Sequence, residues 1–139
     1  MKNIAIDYEM GVLKERELHS TLETFFECVL EKPSNPYSVF DFFSNKCYVE
    51  LKTRRNNWKT YPSTMVGKNK LDFAKSITDR PVYFCFQFQD GLFYWAYNEQ
   101  DIENGYVVFD QGGRNDRGRN EYKTYAYLDV SKLQRIPNS

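Results

Sequence analysis

The chain has 139 residues, a size typical of one domain, and 41% of them are hydrophobic. Its 19 Lys and Arg balance 19 Asp and Glu, which argues against nucleic-acid binding through net charge alone. No apolar run approaches the ~20 residues that cross a membrane, and acidic residues interrupt the N-terminus where a secretion signal needs an apolar core. We therefore expect a cytoplasmic protein whose three cysteines, Cys28, Cys47 and Cys85, are reduced.

Basic charge is concentrated in one part of the chain. Residues 44–80 contain nine Lys and Arg against three Asp and Glu, whereas residues 1–43 contain four against eight. The basic segment either forms a local phosphate-binding surface or reflects the ordinary variation of charge along a sequence.

The first predicted element is an amphipathic helix over residues 12–30, which Pro33 separates from the segment that follows. Residues 37–43 and 47–54 are rich in β-formers and are separated by turn-prone Ser, Asn and Lys, so they predict a pair of strands. The apolar stripe of the helix comprises Leu18, Leu22, Phe25 and Val29.

The rest of the chain alternates short strands with one more helix. Apolar residues three apart predict a helix over 68–77, and Asp90-Gly91 between two aromatic-rich runs is a strong hairpin signal. This order predicts an α+β domain built on a mixed sheet and spanning residues 1–139. The further strands are expected at residues 63–66, 82–88, 92–97, 106–109 and 122–130, with a loop at 112–120.

Charged residues interrupt the two strands at 37–43 and 47–54. Glu50 and Lys52 are two residues apart in one strand, so both project from the same face, while Val49 and Leu51 point the other way. Asp41 interrupts an aromatic run in the other strand, where Asp is disfavoured. Charges at these positions suit a cleft that binds a charged group better than an apolar core.

The turn between these strands decides whether the two carboxylates meet. A two-residue turn makes Asp41 and Glu50 diagonal neighbours with Cβ atoms about 7 Å apart, and a four-residue turn places them opposite each other at about 5 Å. A three-residue turn would put them on opposite faces of the sheet. Either even-numbered turn allows one divalent cation to lie between their oxygens.

Two carboxylates, a backbone carbonyl and water form the oxygen-rich shell that Mg²⁺ or Mn²⁺ prefers. Such a cation acidifies a bound water and neutralises charge on a phosphate, and a neighbouring lysine helps to activate the water or stabilises the transition state. The alternative interpretation is structural: Glu50 and Lys52 form an exposed salt bridge, and Asp41 caps a turn.

The spacing of these residues resembles a known motif: Asp41 is followed, after eight residues, by Glu50-Leu51-Lys52 within a VELKTR strand. This pattern resembles the PD-(D/E)XK phosphodiesterase superfamily of restriction enzymes, junction resolvases, and phage or repair nucleases. The resemblance implies a restriction-endonuclease-like core of helix, three-stranded meander, helix and strand over residues 12–88. The sequence departs from the motif at one position, where Phe40 replaces the proline before the aspartate.

The resemblance implies a metal-dependent endonuclease that acts on nucleic acid, DNA rather than RNA. Asp41 and Glu50 would bind Mg²⁺ or Mn²⁺ together with the Leu51 carbonyl, and Lys52 would be catalytic. A homodimer would allow double-strand cuts. The alternative is a catalytically inactive domain of the same fold that binds nucleic acid or protein.

The two predicted helices are expected to add further site residues, because members of the superfamily often draw on both. Glu23 is our choice from the first helix and Glu27 the alternative, and the second helix offers Lys68 or Lys70.

The basic residues that follow the catalytic strand are candidate phosphate contacts, and Trp58 is a candidate stacking partner for a base. The alternative is a polar surface loop anchored by one aromatic residue. Arg114, Arg117 and Arg119 either make a second contact or belong to a hairpin tip, and His19 is expected on the surface. The full candidate set for nucleic-acid binding is Arg54, Arg55, Trp58, Lys59, Lys68 and Lys70.

Overall fold

The computed structural model describes residues 4–35, 37–112 and 123–137. Within those ranges, every helix is too short or too polar to pass through a lipid bilayer. The helices are α1 (Ile4–Phe26), α2 (Lys68–Ser76) and α3 (Glu99–Glu103), with a 3-10 turn at Val130–Lys132. The strands are β1 (Phe42–Phe43), β2 (Tyr48–Thr53), β3 (Ser63–Gly67), β4 (Val82–Phe88), β5 (Gly91–Ala96), β6 (Val107–Gly112), β7 (Lys123–Asp129) and β8 (Gln134–Arg135).

These strands form two sheets, which confirms an α+β fold with a mixed sheet. The larger sheet has the order β1-β2-β4-β5-β8, and only its β2–β4 pair is parallel. The smaller sheet is antiparallel, with the order β3-β7-β6. This differs from the implied three-stranded meander, because β1 and β4 flank β2 and β3 pairs with β7 instead.

The first helix ends four residues before the predicted boundary. Glu27 has a φ of 54°, in the left-handed region that side chains with a Cβ rarely adopt, and it terminates α1. Val29, which was assigned to the apolar stripe, is 75% exposed. The stripe therefore comes from the residues before Glu27, Leu18 and Leu22 above all, both of which are buried.

The predicted strand at 37–43 is reduced to the two residues of β1. Phe43 exchanges two backbone hydrogen bonds with Glu31, at 2.8 and 2.9 Å, while Phe40 packs in a different buried cluster from Phe42. The chain therefore bends at Asp41, where the ladder to β2 stops. The other predicted strands and α2 are present within about three residues, whereas most of the loop at 112–120, with its three arginines, lies outside the described residues.

Two buried clusters cover opposite faces of the larger sheet. On the α1 face, Leu18 and Leu22 pack with Val49 of β2. On the α2 face, side chains of α2 and of the smaller sheet pack with Phe84 and other aromatic residues of β4 and β5. Since side chains alternate along a strand, Val49 points into the α1 face and Glu50 into the α2 face.

Candidate active site

The turn between β1 and β2 spans Ser44–Cys47, and its own hydrogen bonds fix its length at four residues. The Ser44 amide donates to the Cys47 carbonyl at 2.9 Å, and the Ser44 hydroxyl accepts from the amides of Lys46 and Cys47 at 3.0 and 3.1 Å. The register leads to Glu50 as the position opposite Asp41, as expected for a four-residue turn, although the ladder itself ends at Phe42. The pairs that define the register are Phe42 with Val49 and Phe43 with Tyr48.

Asp41 is exposed, and its carboxylate takes the place of a backbone acceptor at the edge of β2. Its Oδ2 atom accepts a hydrogen bond from the Leu51 amide at 2.8 Å. The amides of Tyr48 and Arg54 donate towards β4, at 3.0 and 2.8 Å. Backbone groups alternate in direction along a strand, so the N–H and C=O groups of the odd-numbered residues of β2 point away from β4, towards β1. The Leu51 carbonyl is therefore directed to the same edge as the Asp41 carboxylate.

Glu50 lies on the α2 face, and its side chain is only 2% exposed. Two ammonium groups approach it. Lys52 Nζ, from the same strand, is 3.7 Å from Oε1, and Lys70 Nζ, from α2, is 2.9 Å from Oε2. Lys70 also donates a hydrogen bond to the Val39 carbonyl, which ties α2 to the segment before Asp41. The structure thus brings Asp41, Glu50, Lys52 and Lys70 together.

The pKa of Glu50 is raised from 4.5 to about 7, first by burial and then by the hydrogen bond with the Asp41 carboxyl and its charge, while Lys70 and Lys52 act in the opposite direction. Although Lys70 Nζ is close to Glu50 Oε2, the angles at the two atoms do not meet those of a hydrogen bond. Among the described residues, this buried oxygen has no hydrogen-bond donor of good geometry. A buried carboxylate oxygen without a hydrogen bond, next to a second carboxylate, is suited to binding a cation.

The donor set fits Mg²⁺ or Mn²⁺. Mg²⁺ is usually held by one or two carboxylates and completes its shell with water and substrate phosphates. In the described parts of the chain, no group of three or more His, Cys, Asp or Glu side chains is arranged to hold a metal ion. A cation here would therefore depend on Asp41, Glu50 and the Leu51 carbonyl.

The glutamates expected from α1 lie elsewhere. Glu23 Oε2 accepts a hydrogen bond from the Leu30 amide at 2.9 Å and is 3.7 Å from His19 Nε2, so this carboxylate stabilises the segment after the helix. Glu27 occupies the left-handed position at the helix end. Because α1 covers the face of the sheet opposite Glu50, the structure brings neither glutamate to the site.

His19 differs from the surface position that the sequence suggested. Its side chain is 25% exposed, its ring lies 4.6 Å from that of Phe42, and Nε2 is 2.7 Å from the Leu30 carbonyl. The histidine therefore packs between α1 and the segments that follow it.

Three of the candidate nucleic-acid contacts have structural partners. Arg54 Nε donates to Thr64 Oγ1 at 3.1 Å, so this side chain joins the two sheets. Trp58 stacks on Phe93 at 4.8 Å and donates its indole N–H to the Val130 carbonyl at 2.8 Å. Lys68 pairs with Asp72 on the exposed side of α2, at 2.8 Å. For Arg54 and Trp58 the geometry favours the structural interpretation.

The remaining candidates differ in position. Arg55 and Lys59 are exposed, and Lys59 Nζ lies 4.8 Å above the Trp58 ring. Lys70 contacts Glu50 and belongs to the site itself.

A cleft of about 550 Å³ opens beside Asp41, between α1 and the segment before β1. Sequence reasoning missed two basic residues in its lining, Lys14 of α1 and Lys32. No local pattern singles out either lysine, because each is an exposed charge that reaches the cleft only through the packing of α1. The cleft is lined by Lys14, Glu15, Leu18, Lys32, Pro33, Asn35, Ser38, Phe40, Asp41, Phe42, Leu51 and Thr53.

Comparison with known proteins points to the same superfamily as the sequence motif. Residues 7–136, which are 130 of the 139 residues, match the sequence model of a family described as "Phage putative PDDEXK endonuclease". This match confirms the superfamily resemblance drawn from Asp41, Glu50 and Lys52. No curated protein matches the chain.

Proposed function

The chain belongs to the phage PDDEXK endonuclease family, and from this premise we propose that it is a Mg²⁺- or Mn²⁺-dependent endonuclease that hydrolyses phosphodiester bonds in DNA. The observation that carries the proposal is the contact between the Asp41 carboxyl and the buried Glu50 carboxyl, with two lysines beside Glu50. A purely structural strand gains little from a carboxylate that is almost fully buried.

In the proposed reaction Asp41 and Glu50, with the Leu51 carbonyl, hold the cation at the edge of β2. When bound, the cation supplies Lewis-acid chemistry: it polarises the scissile phosphate and acidifies a water molecule. Exposed Asp41 faces the solvent from which substrate arrives, whereas buried Glu50 is held in a fixed position by its surroundings.

The two lysines have different roles in this proposal. Lys52 is 39% exposed, so its ammonium group can reach a phosphate in solution, where it orients the attacking water or stabilises the charge that develops. Lys70 is 21% exposed and bonded to the Val39 carbonyl, so it orients Glu50 and fixes the segment that carries Asp41. Lys70 is thus a positioning residue.

The test is cleavage of plasmid and oligonucleotide DNA with Mg²⁺, with Mn²⁺ and with a chelator. We expect Asp41→Asn, Glu50→Gln and Lys52→Met each to lower the rate by about 100-fold or more, because each removes charge stabilisation at the reacting phosphate. Matched controls are Asp79→Asn, at a carboxylate that is 63% exposed, and Lys75→Met, at an exposed lysine of α2; both should retain wild-type rates.

Two outcomes would contradict the proposal. One is cleavage that persists in both Asp41→Asn and Lys52→Met, which would place the activity elsewhere. The other is a wild-type protein that cleaves no nucleic acid and shows no heat of Mn²⁺ binding in calorimetry, which would favour the inactive binding domain. RNA oligonucleotides of the same sequence test the preference for DNA, and linear rather than nicked plasmid would indicate the paired cuts of a homodimer.

A further inference from the structure

The lining of the cleft beside Asp41 contains none of the basic residues that the sequence singled out. We propose that this cleft receives one unpaired strand of nucleic acid, and that Lys14 and Lys32 bind its phosphates. The inference rests on the proposed function and specifies its substrate: a single-stranded segment, such as an overhang, a flap or an opened duplex.

The position of the cleft connects it to the site. Asp41 and Leu51, the proposed source of two metal ligands, are part of its lining. Lys14 comes from α1 and Lys32 from the segment that leads to β1, so basic side chains reach the same cleft from two other elements. A strand with one phosphate at Asp41 would present its neighbouring phosphates to these lysines.

The charges in the lining are compatible with this arrangement. Lys14 is exposed, and Lys32 pairs with Glu15 at 2.7 Å, with side chains that are 56% and 49% exposed. Water screens an exposed pair of this kind, so a phosphate can replace Glu15 as the partner of Lys32. The carboxylate of Asp41 is directed to the Leu51 amide and the proposed cation.

The size of the cleft suits a single strand. A volume of about 550 Å³ lies in the range of cavities that hold a small molecule, so the cleft has room for one or two nucleotides and is too small to enclose a base-paired helix. A strand that enters it to reach Asp41 would therefore do so unpaired.

An aromatic groove next to the cleft supports the same substrate. It has a volume of about 450 Å³, shares Phe40 and Phe42 with the cleft, and is also lined by Tyr37 and Tyr48. Tyr37 is 90% exposed, so a ligand in the groove can reach the faces of its ring. Exposed aromatic rings stack on unpaired bases, whereas the bases of a duplex hide their faces from such contacts.

The experiment measures binding in chelator by fluorescence anisotropy, with one labelled DNA sequence as a single strand and as a duplex. We expect the single strand to bind at least 10-fold more tightly. Lys14→Gln/Lys32→Gln should weaken single-strand binding and reduce the slope of log K against log salt by about 1.4, since each phosphate contact contributes about 0.7. Tyr37→Ala should weaken single-strand binding about 5-fold, the loss expected for one stacked base.

The matched control is Lys46→Gln/Lys75→Gln, which removes two exposed basic residues outside the cleft lining and should leave the affinity within twofold. Duplex binding as tight as single-strand binding, or an unchanged salt slope in Lys14→Gln/Lys32→Gln, would overturn the inference. Cleavage by the wild-type protein decides the proposed function separately. If DNA is cut but the Lys14 and Lys32 variants bind normally, the inference fails and the nuclease activity stands.

Discussion

Val49 and Glu50 are neighbours in β2 and are equally buried, at 0% and 2% exposed, but they point to opposite faces of the larger sheet. Around Val49 on the α1 face, the buried side chains are hydrophobic, and His19 lies against one of them, Phe42. Glu50 lies on an aromatic face to which Lys52 and Lys70 bring ammonium groups. Two equally buried positions of one strand therefore differ in kind: Val49 packs in a hydrophobic cluster, whereas Glu50 is a carboxylate paired with two lysines.

The cost of the second arrangement is visible in Glu50 itself. Its pKa is raised to about 7, above all by burial, so the folded protein keeps Glu50 protonated below about that pH. A valine or leucine at this position would carry no such penalty, and replacing buried ion pairs by apolar residues is often neutral or stabilising. Glu50 is therefore better explained by the site it serves than by the stability of the sheet.

The largest expected effect comes from placing a carboxylate on the wrong face. Val49→Glu should lower the free energy of unfolding by about 5 kcal/mol, because the new carboxylate would be buried among hydrophobic side chains. That loss is enough to unfold many small domains. Urea denaturation followed by circular dichroism measures it, with Val49→Ile as the control that keeps an apolar side chain. A loss below about 1 kcal/mol would mean that the two faces are equivalent.

Glu50→Met should remove a pH dependence of stability in chelator. Between about pH 4.5 and pH 7 the unfolded wild-type chain releases the Glu50 proton while the folded chain keeps it, so wild-type stability falls as the pH rises. The fall attributable to Glu50 is about 3.5 kcal/mol at most, since each pKa unit corresponds to about 1.4 kcal/mol. Urea titrations at pH 5, 6, 7 and 8 should show curves for wild type and Glu50→Met that diverge with pH.

Glu103→Gln, at an exposed carboxylate in α3, is the matched control and should follow the wild-type curve. Parallel curves for wild type and Glu50→Met would show that Glu50 titrates normally in the folded protein.

Alternation along β2 was sufficient to predict which side chains share a face. It separated Glu50 and Lys52 from Val49 and Leu51, and the even-numbered turn then brought Asp41 to the same site. Local periodicity also located α2 and the strands that follow it. These features are determined by neighbours in the sequence, which is why the sequence reveals them.

The remaining features of the site depend on how separate elements pack. The burial of Glu50 comes from the α2-face cluster, which includes residues of β3 and β7 far along the chain. Glu23 lies away from the site because α1 packs on the opposite face of the sheet. The periodicity of a helix does not determine which face of a sheet the helix covers. Lys14 and Lys32 reach their cleft in the same way.

Lys68 and Lys70 show this limit within one helix. Two residues along a helix point in different directions, so only one of the two lysines can face Glu50. The sequence left both open, and the rotation of α2 that buries Leu71 and Ala74 settles the question.

Lys70→Met should lower the free energy of unfolding by about 1–2 kcal/mol at pH 8, where Glu50 is ionised and loses its nearer ammonium group. The loss should be smaller at pH 5, because protonated Glu50 no longer needs a charged partner. Urea denaturation at both values measures the difference. An equal loss at the two pH values would show that Lys70 acts through packing and through the Val39 carbonyl rather than through Glu50.

Lys68→Met gives the smallest expected effect and isolates the contribution of burial. The N–O distance of the Lys68–Asp72 pair, 2.8 Å, is close to the 2.9 Å of the Lys70–Glu50 pair. The side chains of Lys68 and Asp72, however, are 44% and 60% exposed. Exposed pairs four residues apart on a helix contribute about 0.3–0.5 kcal/mol, so the substitution should cost less than about 0.5 kcal/mol at either pH. A loss as large as that of Lys70→Met would show that helix contacts, and not the buried carboxylate, determine the effect of these lysines on stability.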